Sequence, residues 1–160
     1  MTAPKRPEQL DSPLVGKIIK LMSRTHVAVF RATGGRIGSR WSVGAGATKP
    51  VPTLLLDHRG RKSGKQFTTP LLYLRDGQQL VLVASQGGRA DNPQWYENLQ
   101  THPETTVQLR GEGVRRVRAR TADPEERARL WPRLVELYAD FANYQSWTKR
   151  EIPVVILDPR

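Results

Sequence analysis

The sequence predicts an α+β domain built on a small, mainly antiparallel β-barrel. Six short runs of apolar or alternating residues are typical of strands, and the pair Asp76-Gly77 between two of them is a strong hairpin signal. The helical patterns do not alternate with the strands, and no GxGxxG follows a strand, which excludes a Rossmann-type sheet. The length of 160 residues suits a single domain, which we place at residues 13–160.

Composition and charge limit the kinds of site and of partner that this chain is expected to have. The chain has no cysteine and three histidines, which excludes disulfides, thiolate zinc sites and thiol catalysis, and we expect no metal site. The 26 Lys and Arg residues against 15 acidic residues give a net charge of +11. A charge of this size predicts an anionic partner: nucleic acid, an acidic membrane surface, or a small molecule with phosphate or carboxylate groups.

The N-terminal region is predicted to be an arm followed by a basic amphipathic helix. Residues 1–12 are polar and contain prolines, as expected of a flexible arm. Over about residues 14–30, apolar side chains recur on one helical face, while Lys17, Lys20 and Arg24 lie off that face. Two uses of this helix stay open. Its apolar face packs on the domain, or the helix lies on a membrane with its lysines toward anionic lipid.

The sequence gives weaker evidence on cellular localisation and oligomeric state. No stretch reaches the roughly 18 apolar residues of a membrane span, and we find no signal-peptide pattern. We therefore expect a cytoplasmic protein, with peripheral contact at the inner face of the plasma membrane left open. The oligomeric state is also open, with a monomer favoured.

Turn residues divide the rest of the chain into strands. Residues 33–50 form a glycine-rich connector, after which strand patterns recur to the C-terminus. In one of them Arg116, Arg118 and Arg120 share a face, which is able to follow a row of phosphates. The predicted strands are residues 51–58, 67–75, 79–85, 105–110, 114–121 and 153–157.

Two further helices are predicted after the first. Asn92 is a suitable N-cap for a helix over residues 93–100. Asp123 opens a capping box for a second helix, which runs toward Tyr138 and is expected to kink at Pro132.

Four segments carry residue types that bind ligands. The loop at residues 58–65 combines four cations, two glycines and a serine, which suits a phosphate or carboxylate but also a solvated hairpin loop. Residues 84–88 place two glycines after a buried strand, which permits close approach of a flat ligand, and Trp95 follows nearby. No GxSxG or HExxH motif is present, so an enzyme with this sequence would leave its chemistry to a cofactor. Four aromatic residues recur at intervals of three, as in a pocket lining or a core: Tyr138, Phe141, Tyr144 and Trp147.

Six short motifs follow one another along the chain. They are Thr-Gly-Gly-Arg-Ile-Gly at 33–38, Gly-Arg-Lys-Ser-Gly at 60–64, Thr-Thr-Pro-Leu at 68–71, Val-Ala-Ser-Gln-Gly-Gly at 83–88, Asn-Pro-Gln-Trp-Tyr-Glu-Asn-Leu at 92–99, and Tyr-Gln at 144–145 with Arg-Glu-Ile-Pro-Val at 150–154. In this order they resemble the deazaflavin-dependent nitroreductase family of split-β-barrel, FMN-binding-like oxidoreductases, which use reduced coenzyme F-420. The resemblance covers most of the chain. It implies an enzyme that passes a hydride from the reduced deazaflavin to a quinone, an enone or a nitroaromatic.

The resemblance also implies roles for individual residues. Arg61 and Lys62, with Ser63 beside them, match positions that meet the coenzyme's phosphate and acidic tail, a phospholactyl oligoglutamate. Tyr138 and Tyr144 match an aromatic segment over the substrate pocket, and either phenol, or water, would supply a proton. The other cofactor positions are Pro70, Ser85, Gln86, Gly87, Gly88, Trp95 and Asn98, and the other substrate positions are Phe141 and Trp147.

Two positions depart from the family pattern, and two other interpretations stay open. Gln86 stands where members often carry lysine, which removes a charge near the ring. Phe141 stands where nitroimidazole-reducing members carry tyrosine, and a phenyl ring cannot donate a proton, which argues against nitroimidazole reduction. The alternatives are an FMN-binding split-barrel reductase or carrier, and a non-enzymatic basic module for nucleic acid or membrane. Because the aromatic residues are not interleaved with the arginine face, we expect no nucleic-acid partner.

Overall fold

The structure, a computed structural model, describes residues 5–8, 12–41 and 49–160. Its first helix, α1 (Pro13–Thr33), confirms the predicted basic helix and continues to the start of the glycine-rich connector. The helix ends because Gly34 adopts a left-handed conformation (φ 61°), which glycine tolerates best. The predicted flexible arm lies largely outside the described residues and stays a prediction, and only the two ends of the connector are described.

Over most of its length, α1 does not pack its apolar face on the domain. Four large apolar side chains of its N-terminal half are between 48% and 66% exposed: Leu14, Ile18, Leu21 and Met22. The helix is held at its C-terminal end instead, where Phe30 is fully buried and Arg31 pairs with Asp57 (3.0 Å). None of the helices in the described residues is long and apolar enough to cross a membrane.

The predicted strands are confirmed, with one division and one addition. The segment predicted at residues 67–75 breaks at Tyr73, and a two-residue strand precedes the first predicted one. The strands are β1 (Arg40–Trp41), β2 (Val51–Arg59), β3 (Gln66–Leu72), β4 (Leu74–Asp76), β5 (Gln79–Val83), β6 (Glu104–Leu109), β7 (Gly113–Thr121) and β8 (Val154–Pro159).

The sheet curls into a barrel because its two ends belong to one bent segment. All pairings between the described strands are antiparallel, and their order is β1-β2-β6-β7-β8-β5-β4, with β3 also on β2. Only Tyr73 separates β3 from β4, yet β4 pairs with β5 at the far end of the order. The chain therefore links opposite ends of the sheet, which confirms the predicted antiparallel barrel.

The helix after β5 starts one residue later than predicted. α2 (Gln94–Thr101) has Pro93 in its N-cap position, so the prediction that Asn92 caps this helix is wrong. The Asn92 side-chain oxygen instead accepts a hydrogen bond from Arg150 Nη1 (2.8 Å). A tertiary contact has therefore taken the oxygen that a local cap would have used.

The C-terminal half contains two α-helices where one was predicted, so three α-helices of the described chain follow α1 instead of two. α3 (Pro124–Leu137) has the predicted capping box at Asp123 and runs through Pro132 as one element. The backbone becomes extended at Tyr138 (φ −148°, ψ 99°), and α4 (Asp140–Ser146) begins two residues later. The aromatic residues at intervals of three are therefore not on one helix.

Successive residues of β5 face two separate apolar clusters. Leu80 and Leu82 belong to a cluster supplied by strands around the whole barrel, which Trp95 of α2 joins. Val81 and Val83 point the other way, because strand side chains alternate, and they pack against α3 and α4. This second layer holds the C-terminal aromatic residues at the edge of the barrel beside α2.

Candidate functional site

A groove runs between α1, β3 and α2, and two neighbouring cavities form its ends. Pro70 and Leu71 of β3 line the first cavity, which has a volume of about 420 Å³. The preceding residues Thr68 and Thr69 line the second, which has a volume of about 660 Å³. Ile19 of α1 lines both cavities, so the two ends share one wall.

We call the first cavity the aromatic chamber. Its described lining contains no Asp, Glu, Lys or Arg side chain, which suits an apolar ring. The predicted site residues that line it are Pro70, Ser85, Gln86, Gly87, Trp95, Tyr138, Phe141 and Tyr144. The sequence reasoning missed several further lining residues, among them Ile19, His26, Trp41 and Val83.

Three aromatic side chains form one wall of this chamber. The rings of Tyr138 and Phe141 meet edge to face with their centroids 5.1 Å apart, and the Tyr144 ring lies 6.3 Å from that of Tyr138. The two phenol oxygens are 3.5 Å apart, and burial raises the pKa of both phenols. Both tyrosines therefore stay protonated at neutral pH and can donate hydrogen bonds. Trp147 packs against Tyr144 (5.6 Å between centroids) and does not line the chamber.

The turn at Gln86–Gly88 is left-handed throughout, with φ angles of 46°, 61° and 75°. Glycine accepts this conformation readily, whereas the same conformation at Gln86 costs about 1 kcal/mol or more of backbone strain energy. A Cβ atom on Gly88 would lie 2.7 Å from the Tyr144 carbonyl oxygen, so only glycine lets α4 pack this closely on the turn. Gly88 is accordingly buried behind the chamber, while Gln86 and Gly87 line it.

Arg150 fixes this turn and is not among the described residues that line the chamber. Its guanidinium donates hydrogen bonds to the carbonyl oxygens of Ser85 (2.8 Å), Arg89 (2.9 Å) and Ala84 (3.3 Å), as well as to Asn92. Burial lowers the pKa of this guanidinium, with Asp91 opposing the shift. The strained turn is therefore held by one side chain that satisfies several backbone carbonyl groups.

We call the second cavity the cationic cleft. The loop after β2 turns tightly, with Gly60 N donating to the Lys65 carbonyl (2.8 Å), and a Cβ on Gly60 would lie 2.6 Å from Ser63 Oγ. This loop presents three predicted cofactor residues to the cleft, namely Arg61, Lys62 and Ser63. The opposite side belongs to α1, through Lys20, Ser23 and Arg24.

Neutral groups hold Arg61 in place. Its backbone N and Nη1 donate to Asn98 Oδ1 (3.1 and 3.3 Å), and Nη1 also donates to Gln94 Oε1 (2.7 Å). Asn98 Nδ2 donates to His58 Nδ1 (2.9 Å), which leaves His58 Nε2 to donate to Thr69 Oγ1 (2.9 Å). His58 is 5% exposed, and burial lowers its pKa to about 4, against the opposing charge of a neighbouring carboxylate. The loop thus rests on a neutral histidine.

The structure gathers most of the predicted site residues into one groove and divides them between its ends. Pro70, Ser85 and Trp95 lie at the aromatic end with the tyrosines, whereas Asn98 lies at the cationic end. Sequence reasoning gave no site role to His58 or Arg150. Their signals were weak, because His58 supports the loop through Asn98 and Arg150 supports the turn through Ser85, and each of these bonds joins residues 40 or more positions apart.

The family model for F420H(2)-dependent quinone reductase matches residues 21–159 of the chain. The chain is 59% identical over 118 residues to the "Putative F420H(2)-dependent quinone reductase" of Mycobacterium tuberculosis, covering 74% of this chain and 98% of that one. It is 41% identical over 140 residues to an F420H(2)-dependent quinone reductase of the same species, covering 86% of this chain and 89% of that one.

Solved structures agree with the sequence relatives. One, described as an F420-H2 dependent reductase (FDR-A), has a TM-score of 0.61 and 38% identity over 67% of this chain and 94% of that chain. Another, described as a domain-swapped dimer, has a TM-score of 0.62 and 32% identity over 82% of this chain and 98% of that chain. The antiparallel barrel is therefore a split barrel of the FMN-binding-like type. By sequence and by fold, the chain belongs to the F420H(2)-dependent quinone reductase family.

Proposed function

We propose that this chain binds reduced coenzyme F-420 along the groove and reduces a quinone-type acceptor in the aromatic chamber. The observation that supports this proposal is that a chamber without Asp, Glu, Lys or Arg in its described lining shares Ile19 with a second cavity that is lined by cations. The coenzyme is divided in the same way, with a flat ring at one end and phosphate and carboxylate groups at the other. A ligand of that shape and charge satisfies both ends at once.

The residues at the cationic end fit the coenzyme's tail. Arg61 and Lys62 supply charge and donors, and Ser63 adds a hydroxyl group beside them. Arg61 is pre-positioned by Asn98 and Gln94, so less conformational entropy is lost when an anion binds there.

The residues at the aromatic end fit the ring. Pro70 and Trp95 supply apolar surface, and the turn with Gln86 and Gly87 brings backbone close to a flat ligand. Gln86 presents an uncharged amide here, so this chain holds the ring without a cation from that position.

The side chains that bind the acceptor are Tyr138, Phe141 and Tyr144. The coenzyme, when bound, supplies a hydride to an electron-poor acceptor. Tyr138 Oη and Tyr144 Oη hold their protons because burial raises the pKa of both phenols, so they are suited to donate hydrogen bonds to a quinone oxygen. The proton that completes the reduction comes from one of these hydroxyl groups or from water. Orientation and exclusion of water are the protein's main contributions.

A fluorescence titration tests the cofactor assignment. Coenzyme F-420 is added to the purified protein at low and high salt, with FMN in parallel. We expect micromolar binding of coenzyme F-420 that weakens with salt, since its tail carries several charges, and weaker binding of FMN. Preference for FMN would favour the FMN-binding split-barrel alternative, and binding of neither would contradict the proposal.

A steady-state assay tests the acceptor site. Reduced coenzyme and menadione are supplied to the wild type, to Tyr138→Phe/Tyr144→Phe, and to the control Tyr96→Phe, whose hydroxyl contacts Thr121 (2.9 Å) away from the groove. We expect the double variant to lose roughly 10- to 100-fold in kcat/KM, the scale of lost hydrogen bonds to a developing charge. An unchanged double variant would contradict the role of the phenols.

We further propose that the outward face of α1 meets an anionic membrane surface at the inner face of the plasma membrane. Leu14, Ile18, Leu21 and Met22 expose an apolar stripe, and Lys17 lies beside it. Flotation with vesicles containing phosphatidylglycerol tests this, with neutral vesicles as control. Leu21→Ser/Met22→Ser is expected to lose vesicle binding and keep coenzyme affinity. Vesicle binding unchanged in that variant would contradict the proposal.

A further inference from the structure

The cationic cleft has a second wall that the sequence did not reveal. The β2–β3 loop contributes one side, and α1 contributes the other through Lys20, Ser23 and Arg24. Lys20 and Arg24 are four residues apart on a helix, so they lie on the same side of it. Sequence analysis gave neither cation a site role and left open a membrane use with the helix lysines toward lipid, whereas in the structure both line the cleft.

In the described part of the chain, the cations of this cleft lack carboxylate partners. Within the residues that the structure describes, Lys20, Arg24 and Lys62 make no ion pair, whereas Arg31 further along α1 pairs with Asp57 (3.0 Å). Like charges that face one another across a cleft repel, and a bound polyanion removes that repulsion. Their position thus favours an anionic ligand that touches both walls.

The N-terminal half of α1 is also the part of the helix with the weakest anchoring. Among the described contacts, the side-chain hydrogen bonds from α1 to residues outside the helix come from its C-terminal part. There His26 Nε2 contacts the Gly38 carbonyl (2.5 Å), and Arg31 contacts Asp57 and Thr68. Lys20 and Arg24 lie before these anchors. A ligand held by both walls would therefore tie this half of the helix to the barrel.

We propose that Lys20 and Arg24 bind the polyanionic tail of the coenzyme, so that α1 acts as a clamp over the cleft. The inference rests on the proposed function, since it concerns the same coenzyme. It adds that the site selects ligands by the charge of their tail. A ligand with a phosphate and several carboxylates engages both walls, and a deazaflavin without a tail engages neither.

The test compares two ligands and two double variants. The ligands are coenzyme F-420 and 8-hydroxy-5-deazariboflavin, which keeps the ring and the ribityl chain but lacks the anionic tail, and both are titrated by fluorescence. The variants are Lys20→Ala/Arg24→Ala and the control Lys5→Ala/Lys17→Ala, which removes the same charge from residues outside the cleft lining. We expect the cleft variant to bind coenzyme F-420 roughly 10- to 100-fold more weakly and the tailless ligand within about twofold of wild type. The control is expected to stay within about threefold for both.

Each other outcome has a distinct meaning. Unchanged affinity for coenzyme F-420 in the cleft variant would overturn the clamp and leave the proposed function standing. Equal weakening of both ligands would also overturn it, because α1 would then act on the ring end. Loss of anionic-vesicle binding with unchanged coenzyme affinity would assign the two cations to lipid instead. Failure of the wild type to bind coenzyme F-420 would overturn the proposed function and the clamp together.

Discussion

Two cationic surfaces of this molecule differ in how their charges are paired. On β7, Arg118 pairs with Glu104 (3.2 Å), and Arg120 lies between Glu126 and Asp158, at 2.7 Å from each. These contacts raise the pKa of the Arg120 guanidinium and lower that of Glu126 to about 2, chiefly through the hydrogen bonds between them. Two of the three arginines that share this face are therefore paired with carboxylates within the fold.

The cationic cleft has the opposite arrangement. Arg61 is held by the amides of Asn98 and Gln94, and Lys20 and Lys62 have no carboxylate partner in the described chain. Amide groups position a cation without cancelling its charge, whereas a carboxylate does both. The cleft thus keeps its charge available for a ligand.

The difference shows why net charge alone could not locate the partner. A charge of +11 predicts an anionic ligand, and both the arginine face formed by Arg116, Arg118 and Arg120 and the loop at residues 58–65 are cationic surfaces that could meet one. Ion pairing decides between them. It leaves the cations of the cleft without carboxylate partners in the described chain, and it engages Arg118 and Arg120 of the arginine face.

The largest effect is expected on coenzyme affinity when the positive charge of the cleft is removed. Arg61→Ala/Lys62→Ala should weaken binding of coenzyme F-420 by about 2–4 kcal/mol, the scale of lost charge-assisted hydrogen bonds. Fluorescence titration gives the dissociation constant. Arg116→Ala/Arg118→Ala removes the same charge from β7 and is expected to leave affinity within about twofold. Equal losses in the two double variants would show that overall charge, not the cleft, governs binding.

The cleft and the paired surface of β7 should lose their stabilising contacts at different pH values as the solution is acidified. His58 has its pKa lowered from 6.5 to about 4, so folding favours its neutral form; the stabilisation is complete above pH 6.5 and is lost as the pH falls toward 4. At about 1.4 kcal/mol per pH unit, this amounts to about 3 kcal/mol of the free energy of unfolding. Coenzyme affinity should fall over the same interval, since His58 supports Asn98. The Arg120–Glu126 pair should persist to about pH 2.

Urea unfolding at several pH values between 7 and 4 measures this effect. His58→Gln should flatten the pH dependence of the unfolding free energy, and His102→Gln, which changes a histidine outside the groove, should leave it unchanged. If His58→Gln retains the full pH dependence, a different group is responsible for it.

A smaller effect is expected from the paired surface. Arg120→Ala should lower the free energy of unfolding by about 1 kcal/mol, because an exposed network of ion pairs stabilises only modestly. Coenzyme affinity should not change. Urea unfolding and fluorescence titration of the same preparation check both statements. Arg116→Ala is the control, and a stability loss equal to that of Arg120→Ala would contradict the network's contribution.

The smallest expected effect is on nucleic acid. At 150 mM salt, a mixed-sequence duplex followed by fluorescence anisotropy should show no saturation below about 100 µM protein, the weak end of non-specific binding. Micromolar binding that Arg116→Ala/Arg118→Ala abolishes would restore the nucleic-acid alternative and weaken the contrast between the two surfaces.

Local signals determined most of the elements. The Asp76-Gly77 hairpin, the capping box at Asp123 and the alternation on β7 are readable because each depends on residues close in sequence. The basic loop and the aromatic residues near the C-terminus were recognisable for the same reason. The exceptions are instructive: Asn92 has the side chain of a cap, but a distant arginine uses its oxygen.

The sequence by itself therefore determined the antiparallel barrel, the basic helix, the family resemblance and a set of site residues most of which line the groove. Tertiary structure alone decided that the apolar stripe of α1 faces outward, that its cations face the cleft, and that Arg150 and His58 support the two ends of the site. The physical reason is the same in each case. Burial and charge pairing depend on partners that folding brings together from distant parts of the chain, and residue type and spacing do not record them.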